Sequence, residues 1–231
     1  MTALSLWRPL AEQENAAAQR GLGILYENGL AVPKDEAQSV IWYRKAADQG
    51  DAEAEYRLGH AYVQGASGLP RDLSQGMALM IKAGEHGNAR SLYFIGEFYR
   101  VGMFGVPKDD AQAIAWYRKA ADLGDAIAES RLAIAYQFGT GVSKDMAQAD
   151  FWYRKAEEQT RKNAEEGSVA AQLSLGMSYE MGLGTIAMDK SAALFWYRKA
   201  AQQDGPLKHA AESDVARVER AIKPGFDKGD Q

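Results

Sequence analysis

The chain has 231 residues, 46% of them hydrophobic, and its 27 Lys and Arg stand against 31 Asp and Glu for a net charge of −4. Basic and acidic residues alternate, which excludes the basic stripe that neutralises nucleic-acid phosphates, and no apolar run approaches the ~20 residues of a membrane span. With no cysteine, a structural disulfide, a thiol nucleophile and a Cys-ligated zinc site are excluded as well.

The opening stretch, Met1-Thr2-Ala3-Leu4-Ser5-Leu6-Trp7, has neither the basic start nor the apolar core of a signal peptide. As it stands the chain reads as soluble and cytoplasmic, and as periplasmic if a signal peptide was removed. Residues 1–14 form a half repeat, in which Trp7-Arg8-Pro9-Leu10-Ala11-Glu12-Gln13 looks like the second helix of a truncated copy of the unit that follows. Its apolar face (Leu6, Trp7, Leu10) is a candidate self-association surface.

From Asn15 onward one unit recurs five times, over 15–50, 51–87, 88–124, 125–167 and 168–205. Its first half carries Leu-Gly-x-x-Tyr: Leu22-Gly23 with Tyr26, Leu58-Gly59 with Tyr62, Ile95-Gly96 with Tyr99, Leu132-Ala133 with Tyr136, and Leu175-Gly176 with Tyr179. A Gly follows three residues later each time (Gly29, Gly65, Gly102, Gly139, Gly182), and then an Asp (Asp35, Asp72, Asp109, Asp145, Asp189). The second half carries Trp-Tyr-Arg-Lys-Ala at Trp42–Ala46, Trp116–Ala120, Trp152–Ala156 and Trp196–Ala200, with a degenerate copy at Leu79–Ala83. Successive Trp slots lie 37, 37, 36 and 44 residues apart, and spacing this regular marks a repeat array.

Each unit predicts two antiparallel helices. The first, over roughly Asn15–Asn28 in the opening copy, has apolar residues at helical spacing, and its terminal Gly supplies the left-handed conformation past the helix end. A Val or Ile in the turn (Val32, Val106, Val142, Ile186) plugs the core. The Asp caps the second helix, and Gln38, Gln75, Gln112 and Gln148 complete a capping box that Asp189…Ala192 lacks. A Gly inside a helix costs ~1 kcal/mol relative to Ala, so its recurrence at 23, 59, 96 and 176 implies a close approach of the paired helix. The Trp-Tyr pair reads as core inserted between neighbouring repeats. The Arg-Lys pairs read as surface ion pairs, with Asp48, Asp122 and Glu158 four residues after three of the arginines.

These combined motifs resemble the Sel-like repeat (SLR) family, a relative of the tetratricopeptide repeat, over Asn15 to Gly205. The resemblance implies an all-α fold: a right-handed α/α superhelical solenoid of about five 36–44-residue helix-turn-helix repeats. With it comes a role as adaptor or binding scaffold, in bacteria for many members. A half repeat precedes the array and a capping helix over 206–222, with apolar Leu207, Ala211, Val215, Val218 and Ile222, follows it. Residues 1–222 are thus expected to form a single solenoid, and 223–231 a flexible tail.

Five copies sample each position five times, so columns that vary with large side chains are binding candidates. On the first helices such columns recur at spacing three, four, three, which is one helical stripe. By motif alignment they match the columns lining the concave groove of tetratricopeptide-type solenoids. The candidate residues are Arg20, Ile24, Glu53, Tyr56, His60, Arg90, Tyr93, Glu97, Arg100, Ile127, Ile134, Gln137, Leu173 and Met177. Tyr and Arg anchors of this kind suit protein recognition, although Tyr56 and Tyr93 equally suit packing against the next repeat, and Arg90, Glu97 and Arg100 suit mutual pairing. A seven-residue insertion in the fourth copy, Glu157–Asn163, is a solvent projection or a secondary lip for a partner (Glu157, Glu158, Arg161, Lys162). Seven residues are close to two turns, so the helix keeps its inward face.

The three histidines, His60, His86 and His209, fall in different elements without metal-ligand spacing, and no phosphate loop, zinc-protease or serine-hydrolase motif occurs. No cofactor or metal is expected. The leading reading is a non-catalytic scaffold holding a protein or peptide in its groove. A dedicated inhibitor or immunity protein against a bacterial toxin or effector is the alternative. A third reading, an enzyme or peptidoglycan-directed module, would rest on His60 or Glu97.

Overall fold

The computed structural model describes residues 3–66 and 68–222. Among the described residues there are twelve α-helices and no strand. Helix α1 (Ala3–Glu12) precedes five pairs: α2 (Ala16–Asn28) with α3 (Glu36–Asp48), α4 (Ala52–Gln64) with α5 (Leu73–Glu85), α6 (Ala89–Val101) with α7 (Asp110–Asp122), α8 (Ala126–Phe138) with α9 (Met146–Glu165), and α10 (Val169–Met181) with α11 (Lys190–Ala201). Helix α12 (Lys208–Ile222) packs on α11 through Ala211 and Val218. The fold is the all-α helix-turn-helix array that the motifs predict. The described residues pack as two compact units, 3–128 with Thr140–Val142, and Glu129–Gly139 with 143–222. The tail expected over 223–231 lies outside the described residues.

Local chemistry sets each helix end. Asp35, Asp72, Asp109, Asp145 and Asp189 all accept the backbone N–H three residues on, at 2.9–3.0 Å. The capping box, however, is not closed by the Gln. The N–H that it would bond is already donated to the carbonyl of the Leu-Gly-x-x-Tyr tyrosine, as in Asp35 to Tyr26 and Asp189 to Tyr179. All five copies make this bond, which explains why Asp189 caps without a partner at Ala192. The first helices have caps of their own: Asn15, Asp51, Asn88, Asp125 and Ser168 accept the N–H three residues on.

The recurring helix glycine has a specific occupant above it. A Cβ on Gly23, Gly96 or Gly176 would lie 2.5–2.6 Å from the ring of Tyr43, Tyr117 or Tyr197. The tyrosine of the Trp-Tyr pair thus fills the helix pair of its own repeat rather than the junction with a neighbour. Repeat two departs coherently: Met80 stands in the Tyr slot, and Gly76 packs against Gly59. In repeat four the slot is Ala133, and Tyr153 is only half-buried.

The Trp-Tyr-Arg-Lys motif divides its labour among three neighbours. Lys45, Lys119, Lys155 and Lys199 lie over the ring of the Trp three residues earlier, with Nζ 4.0–5.2 Å from its centroid. That is a cation–π contact in place of the Arg-to-acid surface pairs that the spacing suggests. The arginine reaches the next repeat instead: Arg8 donates to the Tyr26 hydroxyl and Arg44 to that of Tyr62, each across 18 residues. In repeat four the same 18-residue bond to Tyr179 comes from Arg161, not Arg154.

A polar column, invisible to hydrophobic periodicity, pins the junctions. Gln19, Glu55, Glu129 and Gln172 occupy one position of the first helix and are all buried, Glu55 and Gln172 to 0% exposure. Gln19 donates to the Ala11 carbonyl of the preceding helix and accepts from Gln49, the C-cap of its own repeat. Gln172 repeats the arrangement with Ala164 and Gln203. Where the column holds Glu, basic side chains replace the glutamine: the Lys82 ammonium and the His86 imidazole at 2.9 and 2.8 Å from Glu55, and the Lys155 ammonium at 3.4 Å from Glu129. Buried carboxylates require such partners.

Candidate functional site

In the first unit the stripe residues of α4 and α6 come together as an aromatic cluster. Tyr56 stacks on Phe94 at 5.7 Å between ring centroids, and His60 lies 5.9 Å from Tyr56 and 6.1 Å from Phe94. Tyr93 meets Phe94 edge-on at 5.3 Å and stacks on Tyr117 at 5.9 Å. The exposed Arg90 guanidinium covers Phe94 at 5.6 Å. All four cluster rings are half-buried, so each offers a face or an edge to a partner. Burial pushes the Tyr56 hydroxyl above its ordinary pKa and holds the His60 imidazole below 6.5, which keeps His60 uncharged at neutral pH.

Most charged members of the predicted stripe are spent inside the array. Arg20 pairs with Asp51, the cap of the next repeat, at 2.8 Å. Glu53 accepts from Arg57 and Asn88, and Arg57 also reaches Glu27. Glu97 accepts from the Tyr117 hydroxyl and from Arg100, whose pKa is raised by that bond. Ile24 packs on the Val40–Tyr43 core. Ile127, near the start of α8, is exposed. At the chain's start Trp7 lies across Gly21 and packs into the α2 core, while Leu6 and Leu10 are exposed.

In the second unit Gln137 accepts from the Tyr153 hydroxyl, Leu173 packs beside the Tyr197 core, and Ile134 and Met177 are exposed. The insertion lies in this unit. Helix α9 has 20 residues where α3, α5 and α7 have 13. Its first half holds α8 through Tyr153 and Gln137, and its second half holds α10 through Arg161–Tyr179 and Gln172–Ala164. Both bonds to α10 keep the sequence separation of the uninterrupted junctions, 18 and 8 residues. The inserted seven residues therefore move α10 about 10 Å along α9 without changing its face.

The four lip candidates consequently part company. Glu157 and Arg161 are half-buried and bond each other at 2.8 Å, and Glu157 also accepts from Thr185 at 2.7 Å. Glu158 and Lys162 are exposed. The step opens a cavity of ≈ 320 Å³ floored by α9 at Ala156 and, within the insertion, at Glu157 and Thr160. Ser130 and Ile134 of α8 wall one side, Ser174 and Met177 of α10 another, and the loop from Leu183 to Ile186 a third.

Two contributors escaped the sequence argument. Phe94 belongs to a column held by Gly21, Arg57, Phe94, Arg131 and Ser174, and its variation from Gly to Phe was the signal available. The cavity depends on the docking register of α9, which no single column records. Among the described residues no group of three or more His, Cys, Asp or Glu is placed to hold a metal ion, and no helix is long and apolar enough to cross a membrane.

The Sel1 repeat family model matches residues 16–51, 52–88, 89–125, 126–160 and 169–205. A Sel1 repeat protein from Oxalobacter formigenes is similar in structure, with a TM-score of 0.63 and 28% identity, over 94% of this chain and 91% of that one. A protective antigen of uropathogenic Escherichia coli with an SLR fold is 30% identical, with a TM-score of 0.58, over 94% of this chain. The chain spans only 51% of that protein. An immunity protein from Pseudomonas aeruginosa shares the fold at 18% identity and a TM-score of 0.53, over 88% of this chain and 82% of that one. No curated protein shows significant similarity to the chain. With five matched repeats spread over most of its length, the chain belongs to the Sel1 repeat family.

Proposed function

We propose that the chain is a non-catalytic scaffold that binds a protein partner through the stripe on its first helices. The observation that carries this reading is the cluster of Tyr56, His60, Phe94 and Tyr93 with Arg90 over its edge. Half-exposed aromatics beside an arginine are the side chains that dominate binding energy in protein interfaces. The cluster is held by packing on both sides, so little ordering cost falls on this chain when a partner docks. Internal pairing of Arg20, Glu53, Glu97 and Arg100 leaves the recognition to aromatic faces and to Arg90.

The test compares capture of partners from a native lysate by the intact chain and by a Tyr56→Ser, Arg90→Glu variant whose helicity is unchanged. A partner held by the intact chain and lost by the variant supports the scaffold, and equal capture by both refutes this surface. The same experiment separates adaptor from inhibitor. An adaptor captures several proteins weakly, and a dedicated inhibitor captures one tightly.

A further inference from the structure

We infer that the cavity floored by the insertion is a receptor for a tyrosine side chain presented by the protein partner, an assignment that rests on the scaffold reading and deepens it. Where repeats two and three meet, the Phe94 ring fills the space beside Tyr56 and His60. Where repeats four and five meet, the same three columns hold Ser174, Ser130 and Ile134, and all three line the cavity. The chain thus supplies its own aromatic at one junction and leaves room for one at the other.

The walls suit a ring. Ile134, Leu175, Met177, Leu183, Ile186 and the Tyr153 ring give apolar surface, and a methionine beside an aromatic adapts its shape and adds a sulfur–ring contact. A volume of ≈ 320 Å³ lies at the small end of ligand sites, as befits a single side chain with its backbone. The hydroxyl is matched by Glu157. Its carboxylate receives Arg161 and Thr185, and two carboxylate oxygens offer about four acceptor positions, so capacity remains. Elsewhere in this array tyrosine hydroxyls seated between helices already donate to glutamates: Tyr43 to Glu27, Tyr117 to Glu97 and Tyr197 to Glu180.

The test titrates the ¹⁵N-labelled full chain with N-acetyl-tyrosinamide and follows amide resonances. Saturable shifts centred on Thr160, Ser178, Gly184 and Thr185 are expected. They should be lost in Ser174→Phe, which places a ring in the cavity, and N-acetyl-phenylalaninamide should bind about tenfold more weakly for want of the hydroxyl bond to a charged acceptor. Ser130→Phe serves as the second filling variant if Ser174→Phe fails to fold. No shift at millimolar probe, shifts that survive cavity filling, or equal binding of the phenylalanine amide overturns the assignment. A partner captured through Tyr56 and Arg90 while the probe fails would overturn the cavity alone; equal capture by the intact chain and the Tyr56→Ser, Arg90→Glu variant would count against the scaffold itself.

Discussion

Gly96→Ala isolates the packing logic of the repeat. On an ordinary helix the change stabilises by ~1 kcal/mol, because Ala is the better helix former. Here the added methyl would sit 2.6 Å from Cε1 and 2.7 Å from Cδ1 of Tyr117, and 3.2 Å from the Ala113 carbonyl oxygen. The ring has little freedom to retreat. Its hydroxyl donates to Glu97, Arg100 holds Glu97 at 2.6 Å, and Tyr93 stacks on its face. Overfilling a packed site costs about 1–3 kcal/mol, so with the propensity gain of ~1 kcal/mol set against it the net loss is about 0–2 kcal/mol. Urea unfolding followed by circular dichroism reads this as a lower midpoint at unchanged slope. In a Tyr117→Leu background the same Gly96→Ala change should become neutral or stabilising, since the obstructing ring has gone. A Gly96→Ala variant more stable than the parent would refute the reasoning.

Three further outcomes are expected. Gln172→Leu removes two hydrogen bonds, its own to the Ala164 carbonyl, which keeps the Gly167 N–H, and the one it accepts from Gln203, and should cost about 1–3 kcal/mol in the same urea assay; an unchanged midpoint would show the pin to be idle. Deleting Glu157–Asn163 removes two turns and should leave helicity and a cooperative transition intact while abolishing the cavity, whereas an unfolded product would show that the step itself is structural. The third concerns pH: burial holds His60 below 6.5 in the fold, so beneath that value the unfolded chain binds more protons and stability falls as pH drops. Between about pH 7 and pH 5 the parent should lose more melting temperature than His60→Gln, and parallel losses would contradict the assignment.

Hydrophobic period, turn glycines and the capping aspartates made the helix pairs legible, because each is a local rule that recurs at every copy. The glycine at 23, 96 and 176 was rightly read as a close approach, but its occupant was not legible. Whether a tyrosine enters its own repeat or the next depends on the azimuth of the second helix, and one sequence does not encode that directly. Asp35 and its equivalents were read as half of a capping box. The competing acceptor, the Tyr26 carbonyl, lies across a turn whose closure only the backbone reveals. Glu55 and Glu129 carry no mark of burial in hydrophobic periodicity, because what makes it possible is the approach of Lys82, His86 and Lys155. The two-turn length of the insertion was legible, while its effect emerged from where Arg161 lands. It takes the place of Arg154 at the junction, carries repeat five along α9, and so opens the cavity. Of the stripe, the aromatic members gather as a surface, and the charged members largely serve the array.

The measurement that bears most directly on the scaffold account is quantitative capture from native lysate by the intact chain, by Tyr56→Ser with Arg90→Glu, and by a control such as Glu85→Lys, an exposed second-helix position outside the stripe. The account predicts a partner retained by the intact chain and the control and reduced at least about tenfold in the stripe variant, since the lost anchors are each worth on the order of 1–2 kcal/mol. A partner bound equally by all three proteins would contradict it.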